Sequence, residues 1–327
     1  MKDDLGDRMK EYEMVTRQKL PRRGYTIIRI DGKAFHTYTK GLQRPFDIEL
    51  VEDMDATAAF LCREIQNAVC AFVQSDEISI LMCDFDKLTT SPWFDNNILK
   101  ITSVSSSMAT AFFNYRRLVT YWSGDWKWNN DIDTGFGVKE HFEEGYDHEN
   151  DEAMIGLSKI INYFPNGKWK LPMFDSRPFQ VPNKLEAENY FIWRQQDTVK
   201  NSIPSLAQTL FSHKELHGKN DKEKQEMMFQ KSGINWNDYD PKLKRGRMII
   251  KETYEKEPDV IRTRWVSVAP PIFTQDRDFL NELIPNRDDV KYEHKTFIPK
   301  NLTEDEKTDF IKSLENELRI TKKMFNI

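Results

Sequence analysis

Two aspartates follow short apolar runs, and they are the first candidates for chemistry. Asp31 ends the β-rich run 25–30, and Asp76 lies between the apolar runs 69–73 and 78–82. If these runs form neighbouring strands, both carboxylates reach one edge of a sheet. Carboxylate oxygens suit Mg²⁺, and two such ions about 3.5 to 4 Å apart can activate an attacking hydroxyl and stabilise a leaving phosphate oxygen. On spacing alone, two solvated aspartates in surface turns are the alternative.

Gly32 directly follows Asp31 and adds a third possible ligand. Because glycine has no side chain, the backbone here can approach a bound group closely, and its carbonyl oxygen can complete a metal coordination shell. The candidate metal site therefore consists of Asp31, Gly32 and Asp76.

The periodicity around these residues predicts the elements that position them. Apolar residues recur at helical spacing over 50–65 and over 98–115, while the polar stretch 74–77 suits a hairpin turn. The resulting order β-α-β-β-α is half of a ferredoxin-like sheet. We therefore predict an α+β fold with an antiparallel sheet backed by helices.

The rest of the chain is predicted to hold an insertion, the remainder of the core and a C-terminal helix. Helical periodicity returns over 184–211, β-rich runs follow at 247–251 and 261–268, and an amphipathic helix is expected over Glu304–Phe325. The predicted divisions are 1–121 for the first half of the catalytic core, 122–172 for an acidic aromatic insertion, 173–270 for the remaining core, and 271–327 for the C-terminal extension.

Composition restricts the class of protein. A chain of 327 residues with 39% apolar content can bury a substantial core. The mean hydropathy of -0.70 leaves no stretch able to span a bilayer, and the charged start of the chain is unlike a signal peptide. Three cysteines without a CxxC pair are typical of buried thiols in a reducing compartment. We therefore expect a cytoplasmic protein without a membrane partner.

Charge is unevenly distributed, although the net charge is only -5. Residues 125–152 contain ten acidic and two basic residues, whereas residues 200–251 contain eleven basic and six acidic residues. Any RNA contact is therefore expected in the later segment, unless both segments are simply solvated surfaces.

Several ordered motifs resemble those of the tRNA-His guanylyltransferase and 3′-to-5′ polymerase family. The run R-I-D-G-K-A-F-H at 29–36 is similar to the family's metal and triphosphate motif, R-P-F-D at 44–47 to its continuation, and Q-S-D-E at 74–77 to its second acidic motif. Further matches in the family's order are W-R-Q-Q-D at 193–197, Gly246 and R-T-R at 262–264. The resemblance covers most of residues 20–270 outside the acidic insertion.

This resemblance implies a polymerase-like palm that adds nucleotides to the 5′ end of tRNA in the 3′-to-5′ direction. In the family, ATP activates the tRNA 5′-phosphate as an adenylylated end, and the 3′-hydroxyl of GTP then displaces AMP. The implied cofactor is a pair of Mg²⁺ ions held by Asp31, the Gly32 carbonyl and Asp76, and the implied assembly is a homotetramer. The implied nucleotide-binding residues are Asp31, Gly32, Lys33, Ala34, Phe35, His36, Arg44, Asp47, Ser75, Asp76 and Lys100.

One departure from the family pattern bears on the choice of substrate. Residues 199–202 read V-K-N-S where eukaryotic members have His-Ile-Asn-Asn, and residues 201–220 are more similar to the bacterial and phage-type branch. That branch favours template-directed repair of truncated tRNA. The missing histidine puts a dedicated, untemplated addition of guanosine in doubt.

The same segment supplies the candidate RNA-binding residues, which are Lys200, Asn201, Lys214, His217 and Lys219. His213 and His217 have helical spacing and could instead form a metal pair, but no third ligand is placed near them. Two other functions stay open at this point: another palm-type nucleotidyltransferase such as a nucleotide cyclase, and an RNA-binding protein without catalysis.

Overall fold

A computed structural model of the protein describes residues 4–87, 89–123, 171–258 and 260–289, together with positions 303, 307, 308 and 312. The chain divides into two units, residues 1–287 and 288–327, and the architecture below is that of the first. The expected insertion lies outside the described residues except at its two ends. The expected helix Glu304–Phe325 also lies outside them, apart from positions 307, 308 and 312.

Six strands form one sheet in the order β4-β1-β3-β2-β5-β6, and every neighbouring pair is antiparallel. The strands are β1 (Tyr25–Gly32), β2 (Ala68–Gln74), β3 (Glu77–Cys83), β4 (Phe174–Val181), β5 (Arg247–Glu257) and β6 (Val260–Val268).

The α-helices of the described ranges are α1 (Asp4–Met14), α2 (Phe35–Tyr38), α3 (Ile48–Glu64), α4 (Ile98–Ser123), α5 (Lys184–Ala207), α6 (His213–Leu216), α7 (Asp221–Ser232), α8 (Pro241–Arg245) and α9 (Asp278–Leu283). Short 3₁₀ turns occur at Trp93–Asn96, Trp236–Asp238 and Arg287–Asp289.

Helices α3 and α4 cover one face of the sheet, and their apolar residues form the main core with β1 to β4. Helix α5 covers the other face, where the Tyr190 hydroxyl and Ser79 Oγ are 2.8 Å apart. Since both faces are covered, β3 is buried along its whole length, which explains its nearly continuous apolar sequence. The predicted α+β fold with an antiparallel sheet backed by helices is confirmed.

Strand β4 was not predicted from the sequence. Its interior contains Pro178, which cannot donate to a sheet ladder and therefore argues against a central strand. The structure places β4 at the edge of the sheet, where it pairs only with β1. Its register sets Asp175 directly opposite Asp31.

A second, smaller core lies within the basic part of the chain. Residues of α5, α6 and α7 bury Ile203, Leu206, Leu216 and Met228 together, and Trp236 packs against them. This helical cluster therefore has its own apolar interior, and several of its lysines are exposed.

Two general expectations concern thiols and membranes. Cys62, Cys70 and Cys83 are all buried and free. Within the described ranges, no helix combines the length and apolar character needed to cross a bilayer.

Candidate active site

Asp31 and Asp76 meet at one end of the sheet because β1 ends where the β2–β3 hairpin turns. Ser75 and Asp76 form the two-residue turn of that hairpin, and the Asp31 Cα pairs with that of Glu77 in the β1–β3 ladder. The Gly32 N–H donates to the Asp76 carbonyl oxygen at 3.0 Å. The structure therefore brings together the three residues singled out for metal binding.

The charges of the two carboxylates are coupled. Burial raises the pKa of Asp76 above its usual value, and the nearby charge of Asp31 raises it further. A cation between them would relieve this repulsion. Among the described residues, no group of three or more His, Cys, Asp or Glu side chains could hold a metal ion. Two carboxylates with a backbone carbonyl nevertheless suit Mg²⁺, which commonly binds through one or two carboxylates plus substrate phosphates.

Gly32 is required sterically where β1 turns into the following loop. A Cβ at this position would lie 2.3 Å from the Phe35 ring, which is buried against Phe113 and Phe174. The loop is fixed by the Lys33 N–H, which donates to the Met173 carbonyl oxygen at 2.8 Å. Phe35 is thus part of the core and positions the loop beside the aspartates.

Other residues of the implied nucleotide site lie on connections that leave the same end of the sheet. His36 and Arg44 are exposed, and so is Ser75 in the hairpin turn. Asp47 caps α3 by accepting from the Leu50 N–H at 2.9 Å. Exposed hydrogen-bonding and cationic groups therefore lie on the connections at this end of the sheet.

Lys100 is not brought together with the aspartates within one chain. Phe113 of α4 packs on Phe35 near the site, with ring centroids 5.8 Å apart. Lys100 lies about 20 Å from Phe113 along the axis of the same helix, because the rise is about 1.5 Å per residue. Its ammonium lies over the Phe94 ring, 4.8 Å from the centroid.

Glu77 adjoins the aspartates but is occupied by arginines. Its side chain is 6% exposed, and its carboxylate accepts from Arg194 Nε at 2.8 Å and Arg194 Nη2 at 2.9 Å. Arg29 forms a second ion pair with it. Burial raises the pKa of Glu77, whereas both arginines oppose that shift. The sequence placed Glu77 in an acidic motif but did not distinguish its role from that of Asp76.

Two charged residues of β4 flank Asp31 and were missed by sequence reasoning. Arg177 Nη2 lies 3.2 Å from Asp175 Oδ1 and 3.9 Å from Asp31 Oδ2. The signal that could have found them is the short alternating run F-D-S-R at 174–177. Pro178 obscured that run.

The candidate RNA-binding residues are all exposed in the helical cluster. Lys200 and Asn201 lie on α5, and Asn201 Nδ2 donates to Asp197 Oδ2 at 3.2 Å. Lys214 lies on α6, and the ammonium of Lys219 is 3.6 Å from Glu223.

The two histidines of this segment do not form a close pair. The ring centroids of His213 and His217 are 6.2 Å apart.

The helical cluster lies at the same end of the sheet as the aspartates. Phe46, in the same connection as Arg44, packs on Tyr239 with ring centroids 5.8 Å apart. The exposed lysines of the helical cluster therefore lie at the same end of the sheet as the two aspartates.

Comparison with known proteins identifies the family. Residues 6–131 match the family model described as tRNAHis guanylyltransferase. The structure of a bacterial tRNA(His) guanylyltransferase-like protein in complex with ATP is 39% identical and covers 86% of this chain and 99% of that chain, with a TM-score of 0.65. The same bacterial protein type in complex with GTP gives 39% identity, the same coverage and a TM-score of 0.62.

A curated relative agrees with this match. The tRNA(His) guanylyltransferase of Schizosaccharomyces pombe is 26% identical over 262 residues, covering 76% of this chain and 81% of that protein. The chain therefore belongs to the tRNA(His) guanylyltransferase family, and the resemblance seen in the sequence is confirmed.

Proposed function

We propose that this protein is a nucleotidyltransferase that adds nucleotides to the 5′ end of tRNA in the 3′-to-5′ direction. The observation that carries the proposal is the convergence of Asp31, Gly32 and Asp76 at the end of the sheet where the helical cluster exposes several lysines. It occurs in a chain 39% identical to a bacterial relative solved with ATP and with GTP.

The reaction has two displacements at phosphorus. In the first, an oxygen of the tRNA 5′-phosphate attacks the α-phosphorus of ATP, and pyrophosphate leaves. In the second, the 3′-hydroxyl of GTP attacks the 5′-phosphorus of the adenylylated tRNA, and AMP leaves. Both steps are in-line attacks with charge on phosphate oxygens, so one arrangement of ligands can serve both.

Asp31, Asp76 and the Gly32 carbonyl are proposed to hold two Mg²⁺ ions. Bound Mg²⁺ would activate the attacking hydroxyl and neutralise charge on the phosphates. Burial, and to a lesser extent the charge of Asp31, raises the pKa of Asp76, and a bound cation would offset both effects, which supports this assignment. Glu77 is proposed to fix the sheet beneath them through its two arginines rather than to bind metal.

The triphosphate is proposed to lie along residues 31–36, with Ser75, Arg44 and Asp47 around it. Exposed groups in this loop can donate to phosphate oxygens, and the Ala34 backbone has φ = 54°, which turns the chain sharply there. Donors aimed at developing charge are the main means by which such sites stabilise phosphoryl transfer.

The tRNA is proposed to contact Lys200, Asn201, Lys214, His217 and Lys219. Their exposure and the excess of basic residues over 200–251 support this surface. Lys100 would have to act differently, because it lies about 20 Å along α4 from the site. We propose that it reaches the nucleotide of another subunit in a homotetramer.

We further propose that the preferred reaction is templated repair in the cytoplasm. The absence of histidine at Val199 removes one means of selecting an untemplated guanosine, so that selection would depend on pairing with the opposing base. The free, buried thiols are consistent with a reducing compartment.

The test supplies purified protein with ATP, GTP, Mg²⁺ and end-labelled tRNA, either full length or lacking its first nucleotide. We expect extension of the truncated tRNA, with incorporation that follows the opposing base when each nucleoside triphosphate is supplied alone. Equal addition of GTP opposite every base, with equally fast extension of full-length tRNA-His, would identify a dedicated guanylyltransferase instead.

Variants link this activity to the site. Asp31→Asn and Asp76→Asn should each abolish addition with little loss of melting temperature, because each removes a charged ligand and also relieves the repulsion between two neighbouring carboxylates. Asp86→Asn, an exposed carboxylate past the other end of β3, is the matched control and should retain activity. Near-normal turnover in either site variant would contradict the metal assignment. If the wild-type protein extends no tRNA, the two remaining functions are a nucleotide cyclase and an RNA-binding protein without catalysis.

A further inference from the structure

Charged residues form two cross-strand rows on the sheet beside Asp31. In the first row, the register places Asp175 of β4 on one side of Asp31 and Glu77 of β3 on the other. In the second row, two positions back along β1, Arg29 pairs with Arg177 of β4. Directly opposite residues of antiparallel strands project to the same face, so these groups share one surface.

The two arginines of the second row differ in how they are used. Arg29 is 24% exposed and forms an ion pair with the buried Glu77. Arg177 is 56% exposed, and its guanidinium reaches Asp175 at 3.2 Å and Asp31 at 3.9 Å. A guanidinium has five N–H donors, and this exposure leaves some of those of Arg177 directed at solvent.

We propose that Arg177 binds the 5′-terminal phosphate of the RNA substrate. This inference rests on the proposed function. The β2–β3 turn lies on one side of β1, whereas Arg177 lies on β4, on the other side. The loop after β1 packs through Phe35 on the sheet face covered by α3 and α4, whereas Arg177 projects to the opposite face together with Glu77. An in-line displacement brings the entering and leaving groups to opposite sides of phosphorus, so the RNA end approaches from the side that the nucleotide leaves open.

The chemistry of arginine fits this role. Its planar guanidinium can donate two parallel hydrogen bonds to one phosphate group, which a lysine ammonium cannot match. When the Asp31 carboxylate binds a cation, its attraction for Arg177 weakens, and Asp175 keeps the guanidinium oriented. Asp175 is accordingly a positioning residue.

The experiment compares two acceptor-stem RNA duplexes that differ only in carrying a 5′-monophosphate or a 5′-hydroxyl. Dissociation constants are measured by fluorescence anisotropy with Mg²⁺ and without nucleotide, so that no transfer takes place. We expect the wild-type protein to bind the phosphorylated duplex about tenfold more tightly, as for one charge-assisted contact. Arg177→Ala should reduce this preference to less than about twofold, and Arg177→Lys should retain part of it.

The matched control is Arg63→Ala. Arg63 is a partly exposed arginine of α3 that pairs with the adjacent Glu64 at 2.8 Å, and this variant should keep the full preference for the 5′-phosphate. In the addition assay, Arg177→Ala should raise the KM for RNA while the KM for GTP stays unchanged. Thermal melting checks that each variant is folded. If the alanine variant melts early, the intermediate preference of Arg177→Lys becomes the deciding measurement.

Several results would overturn the role of Arg177. One is that the wild-type protein binds the two duplexes equally well. Another is that Arg177→Ala keeps the full preference for the 5′-phosphate. The third is that Arg177→Ala raises the KM for GTP instead of the KM for RNA. If the wild-type protein extends tRNA while one of these occurs, only the inference about Arg177 fails. If the wild-type protein extends no tRNA, the proposed function itself fails.

Discussion

Replacing Glu77 with glutamine tests whether this carboxylate supports the sheet or binds metal. The substitution keeps the shape of the side chain and removes its charge. Two guanidinium groups, those of Arg29 and Arg194, would then lose the carboxylate between them, and Arg194 would keep only its ion pair with the partly exposed Asp197.

The expected loss of stability follows from this burial. Glu77 is 6% exposed and Arg194 is 4% exposed, so little solvent can replace the lost charge. Removing one partner of a buried ion pair costs about 3 to 5 kcal/mol. Since glutamine can still accept one hydrogen bond, we expect the lower end of that range. A loss of about 3 kcal/mol lowers the melting temperature of a unit of this length by about 5 °C.

The assay combines thermal and urea unfolding with nucleotide addition below the melting transition. Glu77→Gln should lower stability and retain measurable addition, whereas Asp76→Asn should lose addition with little change in stability. Glu64→Gln is the control, because its exposed pair with Arg63 contributes about 0 to 1 kcal/mol. A Glu77→Gln protein with wild-type stability but no activity would refute the reasoning and make Glu77 a chemical participant.

Three further predictions concern separate regions of the molecule. Gly32→Ala should cost about 1 to 3 kcal/mol in a denaturant melt and reduce turnover about 100-fold, because the new Cβ displaces the Phe35 ring that positions the loop. Wild-type turnover would show that the loop tolerates the shift. Charge-neutral replacement of Lys214 and Lys219 should weaken tRNA binding. In a salt titration, the slope of the logarithm of the binding constant against the logarithm of salt concentration should fall by about one per lost phosphate contact. An unchanged affinity would place the RNA elsewhere. The three cysteines should resist a thiol-specific reagent until the protein unfolds. They are buried, and burial raises the pKa of the Cys70 thiol. Rapid labelling of the native protein would contradict their burial.

The apolar periodicity of the sequence was sufficient to predict most of the sheet. β1, the β2–β3 hairpin and α3 lie where the pattern indicated, because each buries a regular apolar face. β4 carries a proline and alternates only briefly, and its edge position is a tertiary property that no local pattern reveals. Helix α1 was missed for a different reason, since it has no buried residue and therefore no core-facing stripe.

The candidate site was predictable in part. Asp31 and Asp76 could be paired because strand ends and a hairpin turn fix which end of a sheet they occupy. The order of motifs could not show that Lys100 lies at the opposite end, since that depends on the direction in which α4 crosses the sheet. Nor could it show that Glu77 is buried and paired, because burial of a charge depends on partners distant in sequence such as Arg194.

The pairing of β4 with β1 also has a consequence for the order in which the protein can assemble. The two strands are about 150 residues apart along the chain. At about 5 to 20 residues per second, synthesis of the intervening chain takes roughly 8 to 30 seconds. During that interval the outer edge of β1 has no strand beside it, and its unpaired backbone groups can pair with another chain. The apolar side chains of Ile27, Ile28 and Ile30 would favour such pairing. Nascent protein should therefore be most prone to aggregation before residue 181 leaves the ribosome, and chaperone binding to β1 would be most useful then.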